Sequence, residues 1–258
     1  FKNNGFHFSY TESLYLSKVG MPAGMFYGYQ WLGNYQYADF KETSPGVYVL
    51  KDEIADNGSG RANVKPGDIK YKDVNGDGTV NDLDKGLMGR SLPIHSGGFS
   101  NNFTYKNFDL NVFFQWNYGN TIYNANRLIF EGNGINVFDL NQFASYSNRW
   151  TPENQNNTYF RTSGAGPVGR NSTRVLEDGS YLRLKTVSLG YNLPDYIVKN
   201  LSLSKLRVNL SAQNLFTLTN YTGFDPEVAV RNSVLTPGLD YSAYPHTRSF
   251  VFGINATF

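Results

Sequence analysis

From Gly98 to Tyr118 the chain alternates residue by residue between large apolar and polar side chains. Phe99, Asn101, Phe103 and Tyr105 share one side of a first run, and Phe108, Leu110, Val112, Phe114, Trp116 and Tyr118 share one side of a second. The opposite side of the second run is Asp109, Asn111, Phe113, Gln115 and Asn117. A period of two is the mark of an extended strand, so the pattern predicts two strands joined by a tight turn at Lys106-Asn107. The same alternation recurs at Leu206, Val208, Leu210 and Ala212 against Arg207, Asn209, Ser211 and Gln213. It recurs again at Phe250, Phe252, Ile254, Ala256 and Phe258 against Ser249, Val251, Gly253, Asn255 and Thr257. A further run, Tyr181 to Tyr191, starts with Leu182 and Leu184 on one parity and ends with Val187, Leu189 and Tyr191 on the other. That switch predicts a bulge near Lys185-Thr186.

These runs are about 10 residues long, carry aromatics near their ends and place Asn, Gln, Ser and Gly on the second side. That combination matches strands with one face in lipid and one in a wet lumen better than a soluble sandwich, whose polar face would meet bulk water. The connections alternate in length. Lys106-Asn107 and residues 193–205 are short, whereas 38–97, 119–180 and 217–246 are long and rich in Asn, Gly, Ser and Pro. An up-and-down barrel with short turns at one rim and long loops at the other produces that asymmetry. The opening segment, residues 1–10, reads as though it begins inside a strand, with no basic stretch and apolar core of a leader. Residue 1 is therefore not expected to be a natural start.

Composition narrows the classes. Aromatics make up 16% of 258 residues while charged residues reach only 17%, so the chain is polar yet dense in rings. Lys and Arg number 23 against 21 Asp and Glu, a net charge of +2, which gives no electrostatic footing for a nucleic-acid partner. The chain has no cysteine, which excludes disulfides, thiolate metal sites and cysteine nucleophiles. No apolar run approaches the ~18 residues of a membrane helix.

Residues 73–84 read DVNGDGTVNDLD. Oxygen-bearing residues fall at the spacing of a calcium loop: Asp73, Asn75 and Asp77 at alternate positions, Gly78 at the sharp turn, then the Thr79 carbonyl, Asn81 and Asp84. Calcium takes about six to eight hard oxygens, and one short segment supplies them here. Asp84 stands where a longer Glu is usual, which shortens its reach. The expected role is a structural clamp on a loop. Gly164 to Gly169 spells GxGxxG, but neither a buried strand before it nor a helix after it is predicted, so it reads as a loop. His7, His95 and His246 have no metal-ligand spacing, and Asp225 with Glu227 across Pro226 reads as a turn. No catalytic constellation is present, and the sequence is not read as an enzyme.

Several segments in order resemble one family. They are Gly20 to Gly28 (GMPAGMFYG), Gly67 to Asp84 with Gly89, Phe103 to Leu110 (FTYKNFDL) and Asn148 to Pro152 (NRWTP). Tyr181 to Lys185 (YLRLK), Gln213 to Phe216 (QNLF), Tyr221 to Glu227 (YTGFDPE) and Arg248 to Phe258 complete the series. Together they resemble the C-terminal part of SusC/RagA-type TonB-dependent outer-membrane transporters, and they cover nearly the whole chain.

The resemblance implies an all-β fold: about six strands of an antiparallel up-and-down transmembrane barrel of about 22 strands, plugged by an N-terminal domain absent from residues 1–258. Residues 38–97, carrying the calcium-loop motif, and residues 119–180 and 217–246 would be extracellular loops. It further implies import of oligosaccharides or peptides across the outer membrane of a Gram-negative, Bacteroidetes-type bacterium. The implied partners are a SusD-like surface lipoprotein, outer-membrane lipid and the TonB complex, the last reached through the missing N-terminal part. Trp150, Asn157 and Tyr159 are the loop residues best suited to meet a substrate, although ordinary loop packing against the partner lipoprotein accounts for them at least as well. Two other classes stay open: a soluble calcium-dependent carbohydrate-binding β-sandwich, and a secreted glycan-degrading enzyme, for which no carboxylate pair in a cleft is found. In the barrel Phe250, Phe252, Ile254 and Phe258 face lipid while Asn209, Ser211 and Gln213 face the lumen; in the sandwich the apolar rows pack against a second sheet.

Overall fold

A computed structural model describes residues 14–131, 141–167, 171–228 and 237–258. The chain divides into two compact units, one of residues 93–120, 178–228 and 243–258, the other of the remainder.

The alternating runs build the first unit. His95–Tyr105, Phe108–Tyr118, Tyr181–Asn192, Lys205–Thr219 and Ser249–Thr257 form a five-stranded sheet in which every neighbouring pair is antiparallel. Five long strands stand where the sequence suggests about six, and the expectation of a strand at residues 1–10 lies outside the described residues. The register confirms the two faces. Phe99 lies opposite Phe114, Phe103 opposite Leu110 and Tyr105 opposite Phe108, while Leu210 lies between Leu189 and Phe252. Lys106, at φ 51°, turns the hairpin in the left-handed region.

The bulge falls where the parity switch puts it. Leu184 pairs with Phe114 and Thr186 with Phe113, so Lys185 is the extra residue that returns Val187, Leu189 and Tyr191 to the apolar side. The neighbouring strand breaks at the same level, since Thr186 pairs with Gln213 but Leu184 with Phe216. Asn214 there has φ 53° and donates its amide to the Thr247 carbonyl at 3.0 Å.

No second sheet packs on the apolar face among the described residues: Phe250, Phe252 and Ile254 are 68%, 65% and 61% exposed. Phe99, Phe103, Phe108, Leu189, Leu210, Phe216, Leu218 and Phe258 are exposed as well. The opposite face is held by polar pairs. Arg207 donates to both Asp109 oxygens at 2.6 and 2.7 Å, Asn111 to Asn102 at 2.6 Å, and Asn255 to Asn209 at 3.3 Å. Gly190 sits beneath the first pair, where a Cβ would stand 2.1 Å from an Arg207 nitrogen.

The second unit carries most of the segments read as long loops, and they are not structureless. Tyr15–Leu16, Met25–Gly28 and Gly86–Arg90 form one small sheet; Leu176–Asp178, Thr121–Asn124 and Leu239–Asp240 form another. Trp31–Asn34 pairs with Ile69–Tyr71, and Phe40–Ser44 with Val47–Leu50. Three buried clusters anchor these pieces: one around Phe26, Tyr123 and Leu239, one around Tyr29, Ile69, Tyr71 and Val80, and one around Tyr35, Phe40 and Leu50. The tyrosines supply apolar area while their hydroxyls reach backbone carbonyls, as Tyr35 does with Ala55 and Tyr15 with Pro237. No described helix is long and apolar enough to cross a membrane, which says nothing of a β-barrel.

Candidate functional site

Residues 73–84 fold as a tight loop organised by their own carboxylates. Asp73 accepts the Gly76 and Gly78 N–H groups at 2.6 and 2.8 Å. Asp84, 1% exposed, accepts the Val74 N–H on one oxygen and the Asn81 N–H on the other, both at 2.7 Å. Asp77 accepts the Thr79 N–H at 2.9 Å, and this bond, with the amide of Asn75, holds its carboxyl below the ordinary range. Asn81 caps the short helical turn Asp82–Asp84 through Leu83 N–H. The six residues selected by spacing thus share one loop. Each carboxylate oxygen offers more than one lone pair, so accepting an N–H does not exhaust its capacity as a cation ligand. Val80 anchors the loop through the Tyr29 and Ile69 cluster, and its N–H donates to the Asp56 carbonyl at 3.1 Å.

A second polar constellation is not visible in the sequence pattern. Arg183 projects from Tyr181–Asn192 on the polar face, its side chain 2% exposed. Its Nη2 donates to Asp225 and its Nη1 to Glu227, both at 2.5 Å, and its Nε donates to the Thr217 hydroxyl at 2.9 Å. Glu227 also receives Lys185 and Gln115, each at 3.3 Å. Asp225 accepts the His246 N–H at 2.9 Å, and the His246 ring nitrogen Nδ1 lies 2.8 Å away. Burial alone would raise the Asp225 pKa, but the N–H groups of His246 and Glu227 together with Arg183 bring it down to about 2. Asp225, Glu227 and His246 lie close enough to share a cation. The Arg183 guanidinium already occupies that role, and a divalent ion beside it would meet like charge. The reading of Asp225 and Glu227 as mere turn formers is therefore corrected: they bind the segment after Lys205–Thr219 to the polar face. Sequence spacing hides this because Arg183 lies 42 positions from Asp225. The available signal is a pair of cations, Arg183 and Lys185, at the start of a strand that is otherwise uncharged.

Trp150 is a packing residue, whereas Asn157 is exposed. Trp150 is buried and donates its indole N–H to Gln36 at 3.0 Å, while Asn157 accepts from Gln36 at 2.9 Å. Gly67, at φ 85°, leaves room for the Trp150 ring, since a Cβ there would stand 2.4 Å from it. Tyr159 serves through its carbonyl, which accepts the Asn34 amide at 2.9 Å. Gly164 and Gly166 of the GxGxxG string lie in a loop, and Gly169, like His7, lies outside the described residues.

No family model matches the chain. It is 37% identical over 98% of its length to TonB-dependent receptor P3 of Formosa agariphila, covering 24% of that protein. It is 35% identical over 83% of its length to TonB-dependent receptor P26 of the same organism. To TonB-dependent receptor SusC of Bacteroides thetaiotaomicron it is 26% identical over 82% of its length, covering 19% of that receptor. Among solved structures, the RagAB peptide importer in its open-open state superposes with a TM-score of 0.65, at 24% identity, over 93% of this chain and 23% of that one. The chain thus spans about a quarter of the length of the relatives it matches. Long antiparallel strands, one exposed apolar face and these likenesses lead to one assignment: the chain belongs to the TonB-dependent receptors.

Proposed function

We propose that the protein containing this chain is an outer-membrane nutrient importer, and that the five-stranded sheet is a stretch of its barrel wall. The observation that carries the reading is the apolar row Phe250, Phe252 and Ile254, exposed on strands of membrane-crossing length beside a face of Asn, Ser, Gln and paired charges. Such a row in water would be a large exposed patch, whereas in lipid it is at home. The wall does no covalent chemistry. It forms the side of the passage, while energy arrives from the TonB complex through a part of the protein outside this chain, and a SusD-like lipoprotein covers the outer opening. The cargo is an oligosaccharide or a peptide, and the membrane is the outer membrane of a Gram-negative bacterium of the Bacteroidetes type. Fractionation of the source cells tests the reading: recovery in the detergent-extracted outer membrane supports it. Release into the soluble fraction without detergent favours the calcium-dependent sandwich instead.

We also propose that residues 73–84 hold a calcium ion through Asp73, Asn75, Asp77, the Thr79 carbonyl, Asn81 and Asp84. Support comes from the spacing of the six oxygen-bearing residues and from the short loop they form, in which Asp73, Asp77 and Asp84 each accept a nearby backbone N–H. Isothermal titration of the metal-stripped receptor with calcium should show one site that disappears in the Asp73→Ala, Asp77→Ala double variant. Unchanged binding in that variant removes the assignment.

A further inference from the structure

The two short connections of the five-stranded sheet lie at one end of it. Lys106-Asn107 joins the first two strands, and residues 193–204 join Tyr181–Asn192 to Lys205–Thr219. Hydrogen bonds stitch this rim across the sheet: Asn192 N–H donates to the Asn107 carbonyl, Leu193 N–H to the Leu206 carbonyl and Ser204 N–H to the Thr257 carbonyl, at 2.9, 2.9 and 2.7 Å. Three observations there point to one partner. The first is charge. Residues 105–109 and 191–207 hold Lys106, Lys199, Lys205 and Arg207 against Asp109 and Asp195. Arg207 is taken by Asp109, which leaves three exposed lysines against one carboxylate. None of the three lysines has a carboxylate partner among the described residues. At the other end of the strands, outside the Arg183 network, Arg248 and Asp178 offset each other in number, so the positive excess is confined to one rim.

The second observation is that the apolar face runs on past the strand ends. Tyr105, Phe108, Tyr191, Val208 and Ile254 lie side by side across the sheet near this rim, with the Phe108 and Tyr191 rings 4.4 Å apart. Beyond them the short helix Asp195–Asn200 buries Val198 and leaves Tyr196 and Leu201 70% and 55% exposed. The third is that cations and rings are interleaved. Lys106 follows Tyr105 and holds its Nζ 5.3 Å from the centre of that ring, and Lys199 lies one helical turn after Tyr196, on the same side. A lysine that lays its stem beside a ring and keeps its ammonium in water suits the boundary between hydrocarbon and solvent.

Rings alone would make this rim indifferent to headgroup charge, and the lysines give it a sign. They stand on a hairpin turn, a helix and the start of a strand, a spread that suits a mobile array of headgroups better than one fixed anion. We propose that this rim docks on the phosphate headgroups of an anionic phospholipid leaflet, with Lys106, Lys199 and Lys205 meeting the phosphates and Tyr196 and Leu201 entering the acyl boundary. The proposal rests on the importer reading, in which the apolar face meets lipid, and adds the chemistry of the leaflet at the short-turn end.

The test is native mass spectrometry of the full-length receptor in a neutral detergent, with dioleoyl phosphatidylglycerol as the anionic probe and dioleoyl phosphatidylcholine as its zwitterionic counterpart. The parent should retain phosphatidylglycerol in preference by at least about fivefold, the worth of one lysine near an anionic surface. The triple variant Lys106→Gln, Lys199→Gln, Lys205→Gln should lose that preference while still retaining phosphatidylcholine, which shows that it is folded. A second triple variant, Lys41→Gln, Lys65→Gln, Lys72→Gln, makes the same change of charge at exposed lysines of the other unit and should keep the preference. Equal retention of the two lipids by the parent leaves the lysines to a protein partner or to water and overturns the proposal. A preference lost equally in both triple variants overturns it too, and so does displacement of phosphatidylglycerol by glycerol 3-phosphate, which would mark a pocket for a free anion. Retention of both lipids without preference defeats the rim and leaves the wall in lipid, whereas retention of neither removes the importer reading as well.

Discussion

Replacing Arg183 with Leu removes the cation from a pocket in which Asp225 and Glu227 have side-chain exposures of only 8% and 20%. Leucine fills part of the volume but leaves two carboxylates facing each other, with Lys185, Gln115, His246 and the Glu227 N–H still bonded to them. Breaking a buried ion pair from one side costs about 3–5 kcal/mol, because the stranded charge keeps its desolvation penalty. Arg207→Leu provides the internal comparison. Its pair with Asp109 is about a third exposed on both sides, and such pairs contribute ~0–1 kcal/mol. Urea unfolding of the full-length receptor in micelles, followed by intrinsic fluorescence, should therefore separate the two variants by several kcal/mol. A cycle with Asp225→Ala should show coupling of about 1–3 kcal/mol with Arg183. Acid adds an independent check. The Asp225 pKa lies at about 2 in the folded protein and at about 3.9 unfolded, so its contribution is complete above pH ~4 and is lost as pH falls towards 2. Asp225→Asn should flatten that part of the profile. If Arg183→Leu and Arg207→Leu destabilise equally, the buried network does not hold the loop and the argument fails.

Three further outcomes follow from the same geometry. Phe252→Arg places a cation on the exposed apolar row and should cost ~2–4 kcal/mol if that row lies near the middle of a bilayer, measured by refolding into liposomes; a neutral effect would remove lipid from that face. A cysteine at Ser211 should react with a membrane-impermeant maleimide while one at Phe252 reacts only with a lipid-phase reagent, and the reverse pattern would invert the two faces. Gly190→Val should push Arg207 off Asp109, because a Cβ there meets the guanidinium at 2.1 Å, and the coupling between Asp109 and Arg207 in a double-mutant cycle should then vanish; coupling equal to that of the parent refutes the clash.

The long strands are legible because each repeats one physical rule over 9 to 15 residues, and a period of two sustained that far fits extended backbone and little else. Even the bulge at Lys185 is written in the parity of Leu184 against Val187. The other unit is less legible. Its strands are two to five residues long, too short for a period to show. Its clusters join residues far apart, such as Phe26 with Tyr123 and Leu239, so no local window contains them. The metal-loop motif is readable because all six residues lie within one turn of chain. The Arg183 network is not, because its members come from three strands and two loop segments, and Asp225-Pro226-Glu227 also satisfies the chemistry of an ordinary turn. Trp150 hides its role for a related reason: a tryptophan in a polar segment looks available until its neighbour Gly67 is found to make room for it.

Lys185 is an inserted step, one residue more than the neighbouring strand Phe108–Tyr118 has at that level. Because Leu184 and Thr186 face consecutive residues of that neighbour, Phe114 and Phe113, deleting Lys185 would leave Arg183 opposite Gln115 and Val187 opposite Val112, and both faces would keep their side chains. Keeping the residue but flattening the bulge is what would turn Tyr181 and Arg183 towards the apolar side, exchanging them with Leu182 and Leu184. The guanidinium would then point into hydrocarbon and its two carboxylates would lose their partner. The location of the charged network on this wall thus depends on one residue that the pairing passes over as much as on side-chain identity.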